Sequence, residues 1–333
     1  MKLTDIARLA GVSVTTASYV VNGQAERRRI SPATVERVMA VVREQRFQPD
    51  QQAAGLRRGQ TRTLGLIIPD LENPSYARLA KLLEQRARQQ GYQLLITSSD
   101  DDPDSERQVL AVLRSRRCDA LVVASCLPAD DATYPDLLAS GTPVIGVDRT
   151  LDPVRFCSVV SDDRLAARQL THSLLEPPPR HIALLGARSE LPISTERERG
   201  FDEALAGFAG RVSLLQAPQF SRDGGRALMR RLLEEDMPDA LLTTAYVLLE
   251  GVFDALGERH RLWPPGLRLG TFGDSPLLDF LPLPVNAISQ QHGELADRVL
   301  QAALAAVERD DYQPGVQAVA RVLNRRHGGE PQG

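Results

Sequence analysis

The sequence predicts a small all-α head followed by a larger α/β body made of two successive doubly wound parallel sheets. Three observations lead to this prediction. The first 46 of the 333 residues contain three short helical patterns, and from Leu64 apolar runs alternate with amphipathic helical patterns. Net charge also differs between the two parts: residues 1–60 hold ten basic and five acidic residues (net +5), and the remainder holds 30 basic and 38 acidic residues (net −8). A basic head indicates polyanion binding, although a solvated basic face is an equally common alternative.

The head is predicted to contain three helices joined by short turns. Apolar residues with helical spacing fill the first segment until Gly11 interrupts them. Ser13 is a suitable N-cap for a second helix from about Val14 to Val21. A polar loop with three consecutive arginines follows, and Ser31-Pro32 then supplies a cap and a first-turn proline for the third helix.

The body is predicted from eight apolar runs that are typical of buried parallel strands, namely LGLII, YQLLI, ALVVA, PVIGV, HIALLGA, VSLLQ, ALLTTA and LRLGTF. Helical patterns lie between them, at Tyr76–Gln90, Asp104–Arg117, Asp162–Leu175, Arg197–Phe208 and Arg226–Glu235. A last helix, at about Gln291–Arg309, is placed so that the chain can return to the first sheet. Eight strands with crossovers suit two units better than one sheet.

The predicted domain boundaries follow from these patterns. The head covers residues 1–48, a linker or conditional helix covers 49–61, and the body covers 62–333. Within the body, one subdomain takes about 62–160 and 291–319, and the other takes about 161–290 and 320–328. The linker segment PDQQAAGLRRG has too few apolar residues to bury a face by itself.

Residues 4–23, TDIARLAGVSVTTASYVVNG, fit a helix-turn-helix, for which an ordinary helical hairpin is the alternative. Together with SPATV and PDQQAAGLRRG, this segment resembles the DNA-binding head and hinge of the lactose-repressor (LacI/GalR) family. Order, spacing and the α/β body agree over nearly the whole chain. The resemblance implies a recognition helix in the major groove, a hinge that becomes helical on the operator, and an effector domain of periplasmic-binding-protein type. The candidate DNA-contacting residues are Thr4, Val14, Thr15, Thr16, Ser18, Tyr19, Asn22, Arg28, Leu56 and Arg57.

Two features of the head and hinge refine this expectation. Tyr19 stands where many members of the family place an arginine, so the polar side chains of the second helix remain as base readers. The arginines at 27–29 are expected to contact phosphate, with a solvated loop as the alternative. The resemblance implies that Leu56 wedges into the minor groove, although an isolated leucine is usually a packing contact. Paired hinges imply a homodimer and a palindromic operator; a tetramer stays open.

The effector pocket is expected where the strands end. Its candidate residues are Ser75, Tyr76, Ser125, Asp148, Arg149, Arg197, Phe220, Asp274 and Gln290. The resemblance places Arg197 and Asp148 in direct contact with the effector. Gly273 replaces an acid found in many members, which makes the pocket more cationic and favours a phosphate. For both arginines, a structural ion pair with a neighbouring acid is the alternative.

The identity of the effector is expected from further similarity within the family. TTASYVVNG, the extended arginine loop, IPDLENPSYARLAKLLEQRARQQGYQLLI and TFGDSPLLDFL are similar to the fructose-responsive branch. This similarity implies a repressor of fructose and central carbon metabolism genes that fructose 1-phosphate releases from its operator. The alternative effectors are another phosphorylated sugar, such as fructose 1,6-bisphosphate, or an unphosphorylated sugar.

Other function classes receive little support. The five histidines form no HxxxH or HExxH pattern, and neither a Walker loop nor GxGxxG occurs, so an enzyme, a metal or a cofactor is not expected. A sugar-binding protein without DNA function is disfavoured by residues 1–60. No apolar run reaches 18 residues, the N-terminus has no long apolar segment, and the three cysteines are scattered. We therefore expect a cytoplasmic protein.

Overall fold

The computed structural model describes residues 1–47, 60–259, 264–308 and 311–326. The chain divides into two compact units, Met1–Thr61 and Arg62–Gly333. The predicted linker lies almost entirely outside the described residues, and so do the two DNA-contacting candidates Leu56 and Arg57.

The head contains three helices in its described part, and their starts follow from the residues that cap them. The Ser13 hydroxyl accepts a hydrogen bond from the backbone N–H of Thr16 at 3.1 Å, and Ser31 does the same for Thr34 at 3.3 Å. Both serines thus satisfy a helix N–H group that has no partner within the helix. The helices are α1 (Leu3–Leu9), α2 (Val14–Val21) and α3 (Pro32–Glu44).

An apolar core of its own holds the head together. Ile6, Val20 and Val38, one from each helix, are almost completely buried in it. Gly11 joins α1 to α2 with a φ of +63°, a left-handed conformation that favours glycine. The short turn brings α1 and α2 into contact while one side of α2 remains free for a partner, as a helix-turn-helix requires.

The first lobe of the body is a six-stranded parallel sheet with strand order β11-β5-β4-β3-β1-β2. Its strands are β1 (Thr63–Ile68), β2 (Gln93–Ser98), β3 (Ala120–Val123), β4 (Val144–Val147), β5 (Cys157–Ser161) and β11 (Gly315–Val319). The helices of this lobe are α4 (Pro74–Gln89), α5 (Pro103–Ser115), α6 (Thr133–Ala139) and α11 (His292–Glu308). Apolar residues of α4 and α11 pack together on the sheet, so the late helix completes the core of the first lobe.

The second lobe is a six-stranded sheet with strand order β12-β10-β9-β8-β6-β7. Its strands are β6 (His181–Ala187), β7 (Arg211–Ala217), β8 (Ala240–Thr243), β9 (Arg268–Phe272), β10 (Val285–Ser289) and β12 (Val322–Asn324). The helices are α7 (Asp163–His172), α8 (Pro192–Ala204), α9 (Arg222–Glu235) and α10 (Tyr246–Arg259), with a 3₁₀ turn at Pro276–Phe280. All pairs are parallel except β10 with β12.

The chain passes between the lobes three times in the described residues: from β5 to α7, from β10 to α11, and from β11 to β12. The predicted fold class, a helix-turn-helix head with two doubly wound sheets, is confirmed. The prediction of eight strands was incomplete, since β5, β10, β11 and β12 were not anticipated. These four are short and mix apolar with polar residues, and β12 has only three residues. Their partners in the sheets, which the sequence pattern does not show, make them strands.

Candidate functional site

The candidate DNA-contacting face lies on the head. Thr4 is exposed at the start of α1, and the exposed Thr15 lies one helical turn before the half-buried Tyr19 on the same side of α2. The Thr16 hydroxyl is 2.8 Å from the Ser13 hydroxyl, so this pair shares one hydrogen bond. Thr15 is therefore the threonine of α2 whose hydroxyl is left for a ligand.

Asn22, which caps the C-terminal end of α2, lies at the far end of this face. The amide of Asn22 donates to the backbone carbonyl of Ser18 at 2.7 Å and to its hydroxyl at 3.2 Å. Val14 is 42% exposed and provides an apolar contact surface at the start of α2. Leu9 of α1 is also exposed. Leu9, Val14 and Thr15 thus give this face apolar and hydroxyl groups.

The second candidate site lies between the lobes of the body and centres on Asp148. This residue follows β4 with a φ of +62° and is 9% exposed. Tyr76 donates to Oδ2 of Asp148 at 2.7 Å, and the Gln290 amide donates to Oδ1 at 2.7 Å. Burial opposes ionisation, but the guanidiniums of Arg321 and Arg197 outweigh it and hold the pKa of Asp148 below its ordinary value. Asp148 is therefore an ionised acceptor at neutral pH.

Arg149 forms an ion pair with Asp101, an acid of the same lobe. Its NH1 and NH2 donate to the two carboxylate oxygens of Asp101 at 2.5 and 3.1 Å, and NH1 also lies 3.3 Å from the Ser125 carbonyl. Although burial opposes the charge, Tyr76 and Asp101 raise the pKa of Arg149. The Ser125 hydroxyl in turn donates a hydrogen bond to Oε1 of the buried Glu106 at 2.6 Å. Arg149 thus already has a bidentate partner.

Arg197 and Arg321 form a different arrangement, which we call the arginine pair. The Nε atoms of both approach the same oxygen, Oδ1 of Asp163, at 3.2 and 2.9 Å. Both guanidiniums lie over the ring of Phe272, at 4.4 and 5.4 Å from its centroid. Burial lowers the pKa of Arg321, and the charge of Arg197 adds to this effect. Two buried arginines thus meet at one carboxylate oxygen, and Asp148 is the second acid near them, with its Oδ1 4.0 Å from NH2 of Arg321.

A polar chain connects Asp148 to the segment where the chain passes into α11. The Ser75 hydroxyl donates to Oε1 of Gln290 at 2.8 Å and lies 2.8 Å from Nε2 of His292. Burial, together with the charges of Arg78 and Arg321, lowers the pKa of His292 to about 4. His292 is therefore neutral at physiological pH.

Comparison with known proteins identifies this architecture. The family model of bacterial regulatory proteins, lacI family, matches residues 2–50. The model of periplasmic binding proteins and sugar binding domain of LacI family matches residues 61–262, which is more than half of the chain. The chain belongs to the LacI family. The resemblance inferred from the helix-turn-helix and hinge motifs is thereby confirmed.

Individual relatives of this LacI-family chain cover its whole length. It is 49% identical over 327 residues to the fructose operon regulatory protein of Vibrio cholerae, covering 98% of this chain and 100% of that one. It is 45% identical to the catabolite repressor/activator of Escherichia coli K12, with 98% of each chain covered. Among solved structures, the Cra dual regulator of Pseudomonas putida in complex with fructose 1-phosphate is 59% identical. That match has a TM-score of 0.77 and covers 80% of this chain and 99% of that chain.

The lac repressor dimer bound to operator supports the fold alone. Its TM-score is 0.82 at 20% identity, with 98% of each chain covered. The fold-class prediction therefore holds for head and body together. The relatives carry the names of transcription regulators, as the sequence reasoning expected.

The structure of this LacI-family chain brings most of the predicted effector residues together. Asp148 accepts hydrogen bonds from Tyr76 and Gln290 and interacts with the charges of Arg149 and Arg197. Ser75 joins this group through Gln290, and Ser125 joins it through Arg149. Two predicted residues have other described contacts. Phe220 packs against the core of the second lobe, and Asp274 accepts hydrogen bonds from Asn324 and Arg326 at 2.6 and 2.8 Å.

Three charged residues of the site were missed by sequence reasoning. Asp163 starts α7 directly after β5, and Arg321 lies between β11 and β12, so both depend on strands that the sequence pattern did not reveal. Asp101 belongs to the acidic run that follows β2. That position at a strand end was the signal that could have identified Asp101.

Two further kinds of feature are absent from the described ranges. Within them, no helix has the length and apolar character needed to cross a membrane. The same residues contain no group of three or more His, Cys, Asp or Glu side chains arranged to hold a metal ion.

Proposed function

We propose that this LacI-family chain is a dimeric, sequence-specific repressor of fructose and central carbon metabolism genes that fructose 1-phosphate releases from a palindromic operator. The relatives named above support the regulated process, and the Pseudomonas putida regulator supports the ligand. We place the protein in the cytoplasm and assign it a binding role, not an enzymatic one.

The observation that best supports a phosphorylated effector is the arginine pair. Arg149 already donates two hydrogen bonds to Asp101, so a phosphate there would have to compete with a carboxylate. Arg197 and Arg321 instead meet at one oxygen of Asp163, and no carboxylate binds either of them through two hydrogen bonds in the described residues. A phosphate between them would offer acceptors to the nitrogens that remain, and charge-assisted hydrogen bonds from guanidinium to phosphate are strong. We therefore assign the phosphate to the arginine pair, with Arg149 in support.

The sugar is then assigned to the residues around Asp148. Its ionised carboxylate accepts hydrogen bonds from Tyr76 and Gln290, and hydroxyl groups of a sugar are donors of the same kind. Asp148 lies on the first lobe and Arg197 on the second. An effector held by both would contact the lobes simultaneously and stabilise their approach.

Release from DNA requires that the effector bind the low-affinity state more tightly than the operator-bound state. We propose that lobe approach misaligns the paired hinges that contain Leu56 and Arg57. The DNA-contacting set would then lose its minor-groove part while the helix-turn-helix heads remain folded. By linkage, operator DNA must weaken effector binding by the same factor.

Calorimetry of the full chain against fructose 1-phosphate, fructose 1,6-bisphosphate and fructose tests the proposal. Fructose 1-phosphate is expected to bind at least tenfold more tightly than fructose, since fructose leaves the arginine pair without an anion. It is also expected to release the protein from its preferred duplex. Equal affinity for fructose and its 1-phosphate would disprove the phosphate assignment, and tighter binding of the bisphosphate would favour the alternative effector. Unchanged sugar phosphate after prolonged incubation would support a binding role, and turnover would disprove it.

A further inference from the structure

Recognition helix α2 lacks a side chain that reads guanine well. Its sequence is VTTASYVV, which contains no arginine, the side chain that most commonly contacts guanine in the major groove. Thr16 shares a hydrogen bond with Ser13, and Asn22 at the helix end donates to Ser18. The hydroxyls that remain can contact several bases, so they discriminate weakly. A strong guanine contact would have to come from outside the helix.

The structure places such a group next to α2. The guanidinium of Arg28 lies over the ring of Tyr19, with its Cζ atom 4.6 Å from the ring centroid. The backbone supports this position, because Gln24 N–H donates to the Tyr19 carbonyl at 2.8 Å and Arg28 N–H donates to the Gln24 carbonyl at 3.0 Å. The loop therefore folds back over the end of the recognition helix and returns an arginine to its exposed side.

Arg28 differs in this respect from its two neighbours. All three arginines of the loop are exposed. Within residues 1–47, none of the three forms an ion pair with a carboxylate, and only Arg28 lies over an aromatic ring. Arg27 and Arg29 thus present exposed charges, which suit the phosphate backbone. The Arg28 guanidinium has a defined location on the same side of α2 as Thr15.

A stacked guanidinium is well prepared to read a base. A guanidinium that lies over a ring is attracted by its π face, and the N–H donors that point away from the ring stay available for a ligand. Two of them match the O6 and N7 acceptors of guanine in the major groove, which is the commonest specific contact of arginine with DNA. Because Tyr19 positions the guanidinium of Arg28 before DNA is bound, the side chain loses less conformational freedom on binding.

We propose that Arg28, positioned by Tyr19, is a base-reading residue that recognises one guanine in each half-site, whereas Arg27 and Arg29 contact phosphate. This inference rests on the proposed DNA-binding function. A base contact and a phosphate contact have different consequences. Arg28→Lys retains the charge but loses the planar fork, so it is expected to reduce specificity at one base pair while the salt dependence of binding stays the same.

The experiment selects preferred sequences from a duplex library randomised over about two half-sites, roughly 20 base pairs, with full-length protein and sequencing of the bound fraction. The variants are Arg28→Lys, the matched control Arg27→Lys, Tyr19→Leu without the ring, and Tyr19→Phe with the ring. Thermal unfolding confirms that each variant is folded. The wild-type consensus then serves as the duplex for titrations over a range of salt concentrations.

Arg28→Lys is expected to lower the preference for one G·C pair per half-site by roughly 5- to 150-fold, with an unchanged salt slope. Tyr19→Leu is expected to weaken the preference at the same pair, whereas Tyr19→Phe and Arg27→Lys retain it. An unaltered Arg28→Lys consensus, or a loss at a pair that Tyr19→Leu leaves intact, would overturn the inference while the DNA-binding function stands. If the wild-type protein enriches no sequence, the proposed function itself fails.

Discussion

Replacing Arg197 by alanine is expected to give a repressor that still binds DNA but responds poorly to its inducer. Arg197 uses Nε for Asp163 and NH1 for the Thr244 carbonyl at 2.7 Å, and its NH2 forms no hydrogen bond with the described residues. One charge-assisted hydrogen bond from this free nitrogen to phosphate is worth about 1.5–3 kcal/mol. The affinity for fructose 1-phosphate should therefore fall by about ten- to 150-fold.

The same structure indicates that the variant stays folded. Removing one partner of a buried ion pair usually costs about 3–5 kcal/mol, because the other charge is left alone. Here Asp163 keeps Arg321 at 2.9 Å, so the carboxylate remains paired and the loss of stability should be smaller. The matched control is Arg199→Ala on the same helix, where the side chain is 60% exposed and pairs with Glu196 of α8.

The assay is calorimetric titration of the wild type, Arg197→Ala and Arg199→Ala with fructose 1-phosphate and with fructose, followed by operator release at increasing effector concentration. Arg197→Ala should lose affinity mainly for the phosphorylated sugar, and Arg199→Ala should behave as wild type. Full induction of Arg197→Ala at wild-type effector concentrations would refute the role of Arg197. An equal loss of affinity for both sugars would show that the phosphate does not bind at the arginine pair.

Three further expectations concern the hinge, the loop and the pH dependence. Leu56→Ala should weaken operator binding by a few kcal/mol at most and reduce operator bending, with effector binding intact. Unchanged affinity and bending in a gel-shift assay would show that Leu56 does not contact the operator. Binding should weaken linearly on a log–log salt plot, at roughly −0.9 per phosphate neutralised, and replacing both Arg27 and Arg29 with alanine should make the slope shallower; an identical slope would mean that they point into solvent. The pKa of His292 falls from 6.5 in the unfolded chain to about 4 in the folded protein. Between these two values the unfolded state binds more protons, so the free energy of unfolding should decrease as the pH falls from 6.5 to about 4. His292→Gln should reduce this decrease in urea denaturation measured across the pH range, and an unchanged pH dependence would contradict the shift.

Local signals in the sequence account for most of what could be predicted of the fold. Ser13 and Ser31 mark helix starts because their hydroxyls satisfy N–H groups within three residues, an interaction that the sequence alone displays. Apolar runs such as HIALLGA are long enough to be identified as buried strands, and β6 is buried at all seven positions. By contrast, β11 has three exposed residues and becomes a strand only through its pairing with β5. Such pairing partners are separated by more than 150 residues.

The candidate site was predictable where residues follow recognisable strands. Asp148 and Arg149 come directly after β4, and Ser125 comes shortly after β3, so their position at the carboxyl edge of a parallel sheet followed from the strand pattern. The alternative ion-pair role considered for Arg149 also has a structural basis, because Asp101 holds it with two hydrogen bonds. For Arg197, the ion pair with Asp163 leaves one nitrogen available, so a structural contact and effector binding are compatible.

Asp163 and Arg321, which the sequence did not reveal, share a location with the predicted Gln290 that bears on regulation. Each of the three lies at one passage of the chain between the lobes. Two of them meet at Asp148: the Gln290 amide donates to its carboxylate, and NH2 of Arg321 lies 4.0 Å from its Oδ1. An anion bound by the arginine pair would therefore act on the connecting segments themselves as well as on the faces of the two lobes. A ligand whose contacts with these segments differ between two lobe orientations has differential affinity for them, which is the energetic condition for an inducer.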